Sequence, residues 1–308
     1  MTERPALEAA RALALGQDGV LSRAQARVCG LDRWAVGHQV ESGRWRAYGV
    51  HAVAVHPMPL DFRARCRVSV WEAGEHAALD GSTSLTWRGL RGWDDGIHVI
   101  VPWPGRAVSW RGSVVHPSRL WNPDDLGIHE GLRLTDVAVG TIRAAMWARS
   151  DRAAATIIAM AVQQRLTTPE RVLLEARRLN RHKRRPLILD VARDVAEGAQ
   201  ALSELDFARL CRRRDLPEPT RQQVREGPRG RVYLDVEWDE WRVVVEVEGA
   251  HHDAPENAVD DALRQNALTI GRLGVLRIPV LGLRTCADEF LDQVAQLLRQ
   301  AGWAPSAA

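Results

Sequence analysis

Residues 232–249, VYLDVEWDEWRVVVEVEG, constrain the fold more than any other stretch of the chain. Successive side chains of a strand point to opposite faces, so apolar residues at every second position mark a sheet with one buried side. Two such runs flank Trp238-Asp239-Glu240-Trp241, which predicts a hairpin with strands over 231–237 and 242–248. With Asp239 and Glu240 as a two-residue loop, Trp238 pairs with Trp241 and Asp235 with Val244. Cross-strand partners and alternate residues share a face. Asp235, Val244, Glu246 and Glu248 then lie together, and Val243, Val245 and Val247 face the core. A slip of one residue would separate Asp235 from the two glutamates.

Neighbouring carboxylates on one sheet face repel, or raise each other's pKa. A divalent cation removes that conflict. Asp235, Glu246 and Glu248 offer hard oxygen ligands suited to Mg²⁺. Alternation alone also fits an edge hairpin whose acids face water.

The rest of the chain sets the frame. At roughly 100–200 residues per domain, 308 residues suggest two or three domains. Hydrophobic residues make up 45% and charged residues 26%, an ordinary globular composition with no apolar run near the ~18 residues a spanning helix needs. The N-terminal MTERPALEAARALAL has no basic stretch followed by an apolar core, so a cytoplasmic protein without a membrane partner is expected. Cys29, Cys66, Cys211 and Cys286 have no CxxC spacing and read as thiols of a reducing compartment. Net charge is only +3, but basic residues cluster in 171–185 and 209–231. Nearly all of them are arginine, which suits bidentate phosphate contacts; a solvated helix face explains them equally well.

An α+β fold in three parts is predicted. Over 1–57, helix 6–15 precedes helix 23–28 capped by Ser22, a turn at Gly30, helix 33–41 capped by Asp32, and a hairpin turning at Tyr48-Gly49. That is the layout of a winged helix-turn-helix. Region 58–198 mixes helices, broken at Gly74, with strands 97–101 and 109–116. Further helices there are capped by Thr135, by Ser150 or Asp151, and by Thr168. Region 199–308 reads α-β-β-α-β-α, opening with helix 203–214.

The last region resembles the PD-(D/E)XK nuclease core, and more closely the Vsr-like endonuclease domain. The resemblance is carried by SELDFARLCRRRDLPEP, by the hairpin itself, by AHHDAPENAVDDALRQNAL and by LGVLRIPV. It implies a C-terminal α-β-β-α-β core, with Asp235 and Glu246 as ligands of Mg²⁺ (or Mn²⁺). Glu248 then holds the position that is lysine in the superfamily name, as metal ligand or proton acceptor. Lys183 is the only lysine and lies far upstream, so no lysine of the hairpin can fill that role. Glu204 would be the acid of the opening helix, with Asp206 the competing choice. His251 or His252 would act as acid/base or orient a phosphate, and Arg264 would contact a phosphate or hold a carboxylate. The implied chemistry is hydrolysis of a DNA phosphodiester.

The front, GVLSRAQARVCGLDRWAVGHQVESGRWRAYGVHAVAV, resembles the winged-helix head of AbiE-type antitoxins. That likeness implies double-stranded DNA as partner, transcriptional autoregulation and a cognate toxin. Arg33, Trp34 and His38 would lie on the recognition helix, and Arg44 and Arg46 at the wing. Two functions are therefore expected to compete: a DNA-binding, metal-dependent endonuclease, and an antitoxin-like regulator whose nuclease fold no longer cuts.

Overall fold

A computed structural model of the chain describes residues 3–105, 108–197, 205–226, 232–249, 258–270 and 274–305. The protein is α+β. It divides into two compact units, Met1–Gly140 and Thr141–Ala308, and the sequence-based divisions after 57 and 198 fall within them. Among the described residues, no helix is long and apolar enough to cross a membrane.

The first unit opens with α1 (Glu3–Leu15), β1 (Val20–Ser22), α2 (Arg23–Val28), α3 (Arg33–Glu41), β2 (Arg46–Tyr48) and β3 (Ala52–Ala54). Local chemistry sets the helix starts. Ser22 and Gln25 form a reciprocal capping box, with Ser22 Oγ accepting from Gln25 N at 3.1 Å and Gln25 Oε1 accepting from Ser22 N at 2.8 Å. Asp32 accepts from Trp34 N and Ala35 N at the head of α3. The three strands pair antiparallel in the order β1-β3-β2. Ala6, Ala10 and Ala14, one helical turn apart, pack with Leu21, Leu31, Val36, Trp45 and Val53.

Next comes α4 (Phe62–Ala73), started by Asp61. It is buried on two sides. Ala64 and Val68 meet Val20, Ala52 and Ala54, while Cys66, Val70 and Ala73 join Leu79, Ile97, Val99 and Leu134. The latter belong to a five-stranded sheet built from β4 (Ala78–Leu79), β5 (Ile97–Pro102), β6 (Ser113–Ser118), β7 (Leu126–His129) and β8 (Leu132–Thr135). Its order is β6-β5-β4-β8-β7, and α5 (Gly81–Trp87) follows β4. The β7–β8 hairpin has no counterpart in the sequence reading. Its loop is Glu130-Gly131, both at positive φ (51° and 75°), a two-residue turn without the usual Asn-Gly signature.

The second unit contains α7 (Asp151–Gln163), α8 (Pro169–Arg178) and α9 (Arg185–Glu197), reached through α6 (Val137–Trp147). Ser150, not Asp151, caps α7. Asp136, not Thr135, accepts from Ala138 N at the start of α6. Then follow α10 (Phe207–Arg212), β9 (Arg221–Glu226), β10 (Val232–Trp238), β11 (Val243–Glu248), α11 (Ala258–Ile270), β12 (Leu276–Pro279), α12 (Val280–Thr285) and α13 (Ala287–Gln300). The sheet order is β12-β11-β10-β9, with β12 parallel to β11 and the other pairs antiparallel. Leu234, Val236, Trp238, Val245, Val247, Leu276 and Ile278 are buried on one face.

Two expectations are corrected here. The core is α-β-β-β-α-β, because RQQVRE forms the edge strand β9. It escapes the sequence reading because only Val224 of that strand is even half-buried, so apolar alternation is absent. The opening helix is shorter than 203–214, since Asp206 stands outside it and caps it, accepting from Arg209 N at 2.8 Å.

Within the first unit, His98 on β5 and His116 on β6 share a hydrogen bond of 2.9 Å between Nδ1 and Nε2, with their rings stacked. Burial pushes the His116 pKa down from 6.5 to about 4, helped by the charge of His98 and opposed by Asp95. A depressed pKa means that the unfolded chain takes up the proton first, so this contribution to stability is complete above pH 6.5 and is lost as pH falls toward 4. Urea midpoints measured across that window should fall with acidity in the native protein and fall less steeply in His116→Gln.

Candidate functional site

The polar face of the second unit's sheet holds the acidic residues. In the hairpin, Trp238 pairs with Val243, Asp235 with Glu246, and Tyr233 with Glu248. The loop is therefore four residues, 239–242, not two. Arg242 takes a left-handed conformation (φ 53°) to close it. This corrects the expected pairing of Asp235 with Val244. The shift is by two positions, and a strand's faces repeat every two residues, so Asp235, Glu246 and Glu248 still share one side. Asp235 now stands directly opposite Glu246. Their side chains are about one-fifth exposed.

Arginines occupy this pair. Arg225, from the edge strand, donates from Nε to Asp235 Oδ2 at 2.8 Å, and from Nη2 to Asp235 Oδ1 and Glu246 Oε1 at 3.3 Å each. Arg277, beside Glu246 on β12, brings Nε within 3.4 Å of Glu246 Oε2. The bonds and charge of Asp235 hold the Arg225 guanidinium pKa above its ordinary value. Opposed carboxylates are thus neutralised by cations on both sides. Among the described residues, no three His, Cys, Asp or Glu side chains form a group that could hold a metal ion. Glu248 lies on the same face, but the close pair is Asp235 with Glu246.

The other expected residues divide. Glu204, His251 and His252 lie outside the described residues. Asp206, the alternative to Glu204, is spent on capping α10 and on a 3.4 Å ion pair with Arg212. Arg264 is exposed and pairs with Asp261 one helical turn earlier, at 3.1 Å. Asn266, near it in sequence, is buried. Its amide donates to Arg277 O at 2.8 Å and accepts from Arg277 N at 2.9 Å, which clamps α11 to β12 and fixes the strand that carries Arg277. Arg225 and Arg277 were not foreseen as members of the site. Arg225 belongs to the strand that was not recognised, and Arg277 stands opposite Glu246 only through a parallel pairing remote in sequence.

Much of the basic stretch 171–185 has structural work. Arg184 donates to Met146 O and Ala148 O at the end of α6 and to Asp151. Arg185 donates to Leu179 O, while Arg177 and Arg178 pair with Glu197 and Glu175.

The head presents a second candidate surface. Arg33, Trp34 and His38 are exposed along one side of α3, and Arg44 and Arg46 are exposed at the hairpin that follows. Arg33 lies over the Trp34 ring at 4.5 Å. Trp34 is 71% exposed, so its ring contributes little to the core beneath it. Trp45 is the opposite case, 2% exposed among the core residues of the head.

No family model matches the chain, and no curated protein matches it.

The contrast between the two tryptophans is testable. Trp34→Ala should change unfolding stability by less than about 0.5 kcal/mol. Trp45→Ala should cost about 3–5 kcal/mol, as deletion of a buried ring does. Denaturant unfolding of the two variants checks both, and a large loss in Trp34→Ala would remove that residue from the ligand-facing side.

Proposed function

We propose that the protein binds duplex DNA through a winged helix-turn-helix head and hydrolyses phosphodiester bonds with a divalent cation at a nuclease-type site in its second unit. One observation carries the catalytic half: Asp235 stands directly across the hairpin from Glu246, on the polar side of a sheet whose other side is core. The DNA half is supported by the exposed Arg33, Trp34, His38, Arg44 and Arg46. Phosphate contacts from arginines fix a protein's register on the duplex, and an exposed helix face reads base edges.

The donor set fits Mg²⁺ or Mn²⁺. Two opposed carboxylates supply hard oxygens, and Mg²⁺ is commonly held by one or two carboxylates plus substrate phosphate. Asp235 and Glu246 would hold the ion. When bound, it supplies Lewis-acid stabilisation of phosphate charge and a more acidic water. Arg225 is half-exposed on an edge strand, so its guanidinium can turn from the carboxylates to a phosphate oxygen that arrives with the substrate. Arg277 keeps a positive charge beside Glu246. Glu248, two residues along the same face, is the carboxylate assigned to take the proton of the attacking water, in the position the resemblance gives to lysine.

A second reading has its own support. Arg225 and Arg277 already neutralise the pair, as they would in a sheet kept for stability after cutting was lost. On that reading the protein is an antitoxin-like DNA-binding regulator, with a cognate toxin as partner.

Incubation of the purified chain with plasmid and with mismatched duplex, in Mg²⁺ or Mn²⁺, separates the two. Metal-dependent nicking is expected, reduced by about 10²-fold or more in Glu246→Ala, the scale of losing one transition-state stabiliser. Equal cutting by the variant would overturn the site, and duplex binding without cutting would favour the regulator. Arg33→Ala should weaken duplex affinity in a filter-binding or anisotropy assay at physiological salt.

A further inference from the structure

The turn joining β2 to β3 is held by a carboxylate from outside the head. Glu72 lies in the last turn of α4 and is 6% exposed. Its Oε2 accepts from Val50 N at 2.9 Å and its Oε1 from His51 N at 2.5 Å. Burying a charged carboxylate costs free energy unless strong hydrogen bonds replace water, and two successive backbone N–H groups form such an anion receptor. Gly49 makes the approach possible. Its φ is +72°, and a β-carbon there would collide with the Glu72 carboxylate.

The tip residues Gly49, Val50 and His51 are all exposed. Val50 is 71% exposed. His51 borders an open cleft of about 480 Å³, lined also by Ser22, Ala24, Trp71, Ile128 and Leu132, so side-chain packing does not brace it from that side. The turn's flanks are tied by a hydrogen bond of 2.7 Å from Arg23 N to His51 O, by one of 3.2 Å from Tyr48 Oη to Met58 O, and by an edge contact of the Tyr48 ring with Trp110 at 6.0 Å. The strand leading into the turn carries the exposed Arg46, which lies over the Tyr48 ring at 5.5 Å.

We propose that Glu72 is a positioning residue of the wing: its carboxylate sets the angle of the β2–β3 turn and thereby presents Arg46 to the DNA backbone. This rests on the reading of the head as a DNA-binding module. Glu72 itself touches no DNA. It acts through the two amides, so its loss should couple to the wing and not to α3.

Two measurements test this. Hydrogen exchange without DNA should show the Val50 and His51 amides losing protection in Glu72→Gln and in Gly49→Ala, while the α3 amides keep theirs. Unchanged protection at those two amides would overturn the clamp. Duplex affinity is then measured for Glu72→Gln, Arg46→Ala, Arg33→Ala and the paired variants. Glu72→Gln and Arg46→Ala should each weaken binding by roughly five- to tenfold, and their double variant should be no worse than the weaker single, as for residues that share one interaction. Glu72→Gln with Arg33→Ala should multiply. Multiplication in the first pair as well, with duplex binding intact in the native chain, would overturn the positioning role alone. No duplex binding by the native chain would overturn the DNA reading and this role with it, whatever hydrogen exchange shows at the turn.

Discussion

The first unit depends on a helix that is buried on two sides. α4 is packed against the small antiparallel sheet of the head and against the five-stranded sheet, and its polar residues must therefore find partners in the interior. Arg67, 1% exposed, does so by donating to Asp18 at 2.7 Å and to Glu130 O at 3.0 Å. Arg63 pairs with the same Asp18 and with Glu130, and lies over Trp87 at 4.0 Å. Asp18 precedes β1, and Glu130 sits in the turn of β7–β8. One buried guanidinium thus ties the head to the far hairpin of the mixed sheet. A buried charge that lost its partner would be costly, which makes this contact a demand on geometry more than a source of stability. Glu72 meets the same demand at the other end of α4 through the amides of the β2–β3 turn.

That arrangement explains why the chain reads more modular in sequence than it packs. Pro57 and Pro59 punctuate the passage out of the head, and prolines do mark a turn there. Domain separation is a matter of how few contacts cross a boundary. The contacts made by Arg63, Arg67 and Glu72 join residues more than twenty positions apart, and no local pattern announces them. The same holds in the second unit, where Arg284 forms a bidentate pair with the buried Asp194, at 2.9 and 3.0 Å, from elements ninety residues apart.

What was legible in the hairpin was its parity. Alternation assigns each residue to a face, and a register error of two positions leaves every face assignment intact, so Asp235, Glu246 and Glu248 were grouped correctly from a loop length that was wrong. The loop itself was illegible because Trp238-Asp239-Glu240-Trp241 looks symmetric, while the left-handed residue that closes the turn is Arg242, one position beyond it. β9 was illegible for a different reason. An edge strand exposed on both sides needs no apolar pattern, and its pairing is paid in backbone hydrogen bonds that any sequence can make. With that strand went Arg225, the residue that most changes the electrostatics of the site.

Arg225 also shows why the two functional readings share one geometry. Two carboxylates facing each other across a hairpin require positive charge between them, and an arginine or a divalent cation can supply it. The arginine does so from a solvated edge, where ion pairs gain little over water and salt screens them. A divalent cation at the same oxygens carries twice the charge at closer range, so Arg225 opposes it only weakly. The arginine's preferred partner when displaced is another oxyanion, such as a phosphate. On the nuclease reading proposed above, exchange of Arg225 from carboxylate to phosphate would couple metal and phosphate binding at this site. In a sheet kept for stability alone, the same arginines remain as standing partners of the two carboxylates, and neither a metal nor a phosphate promotes the other.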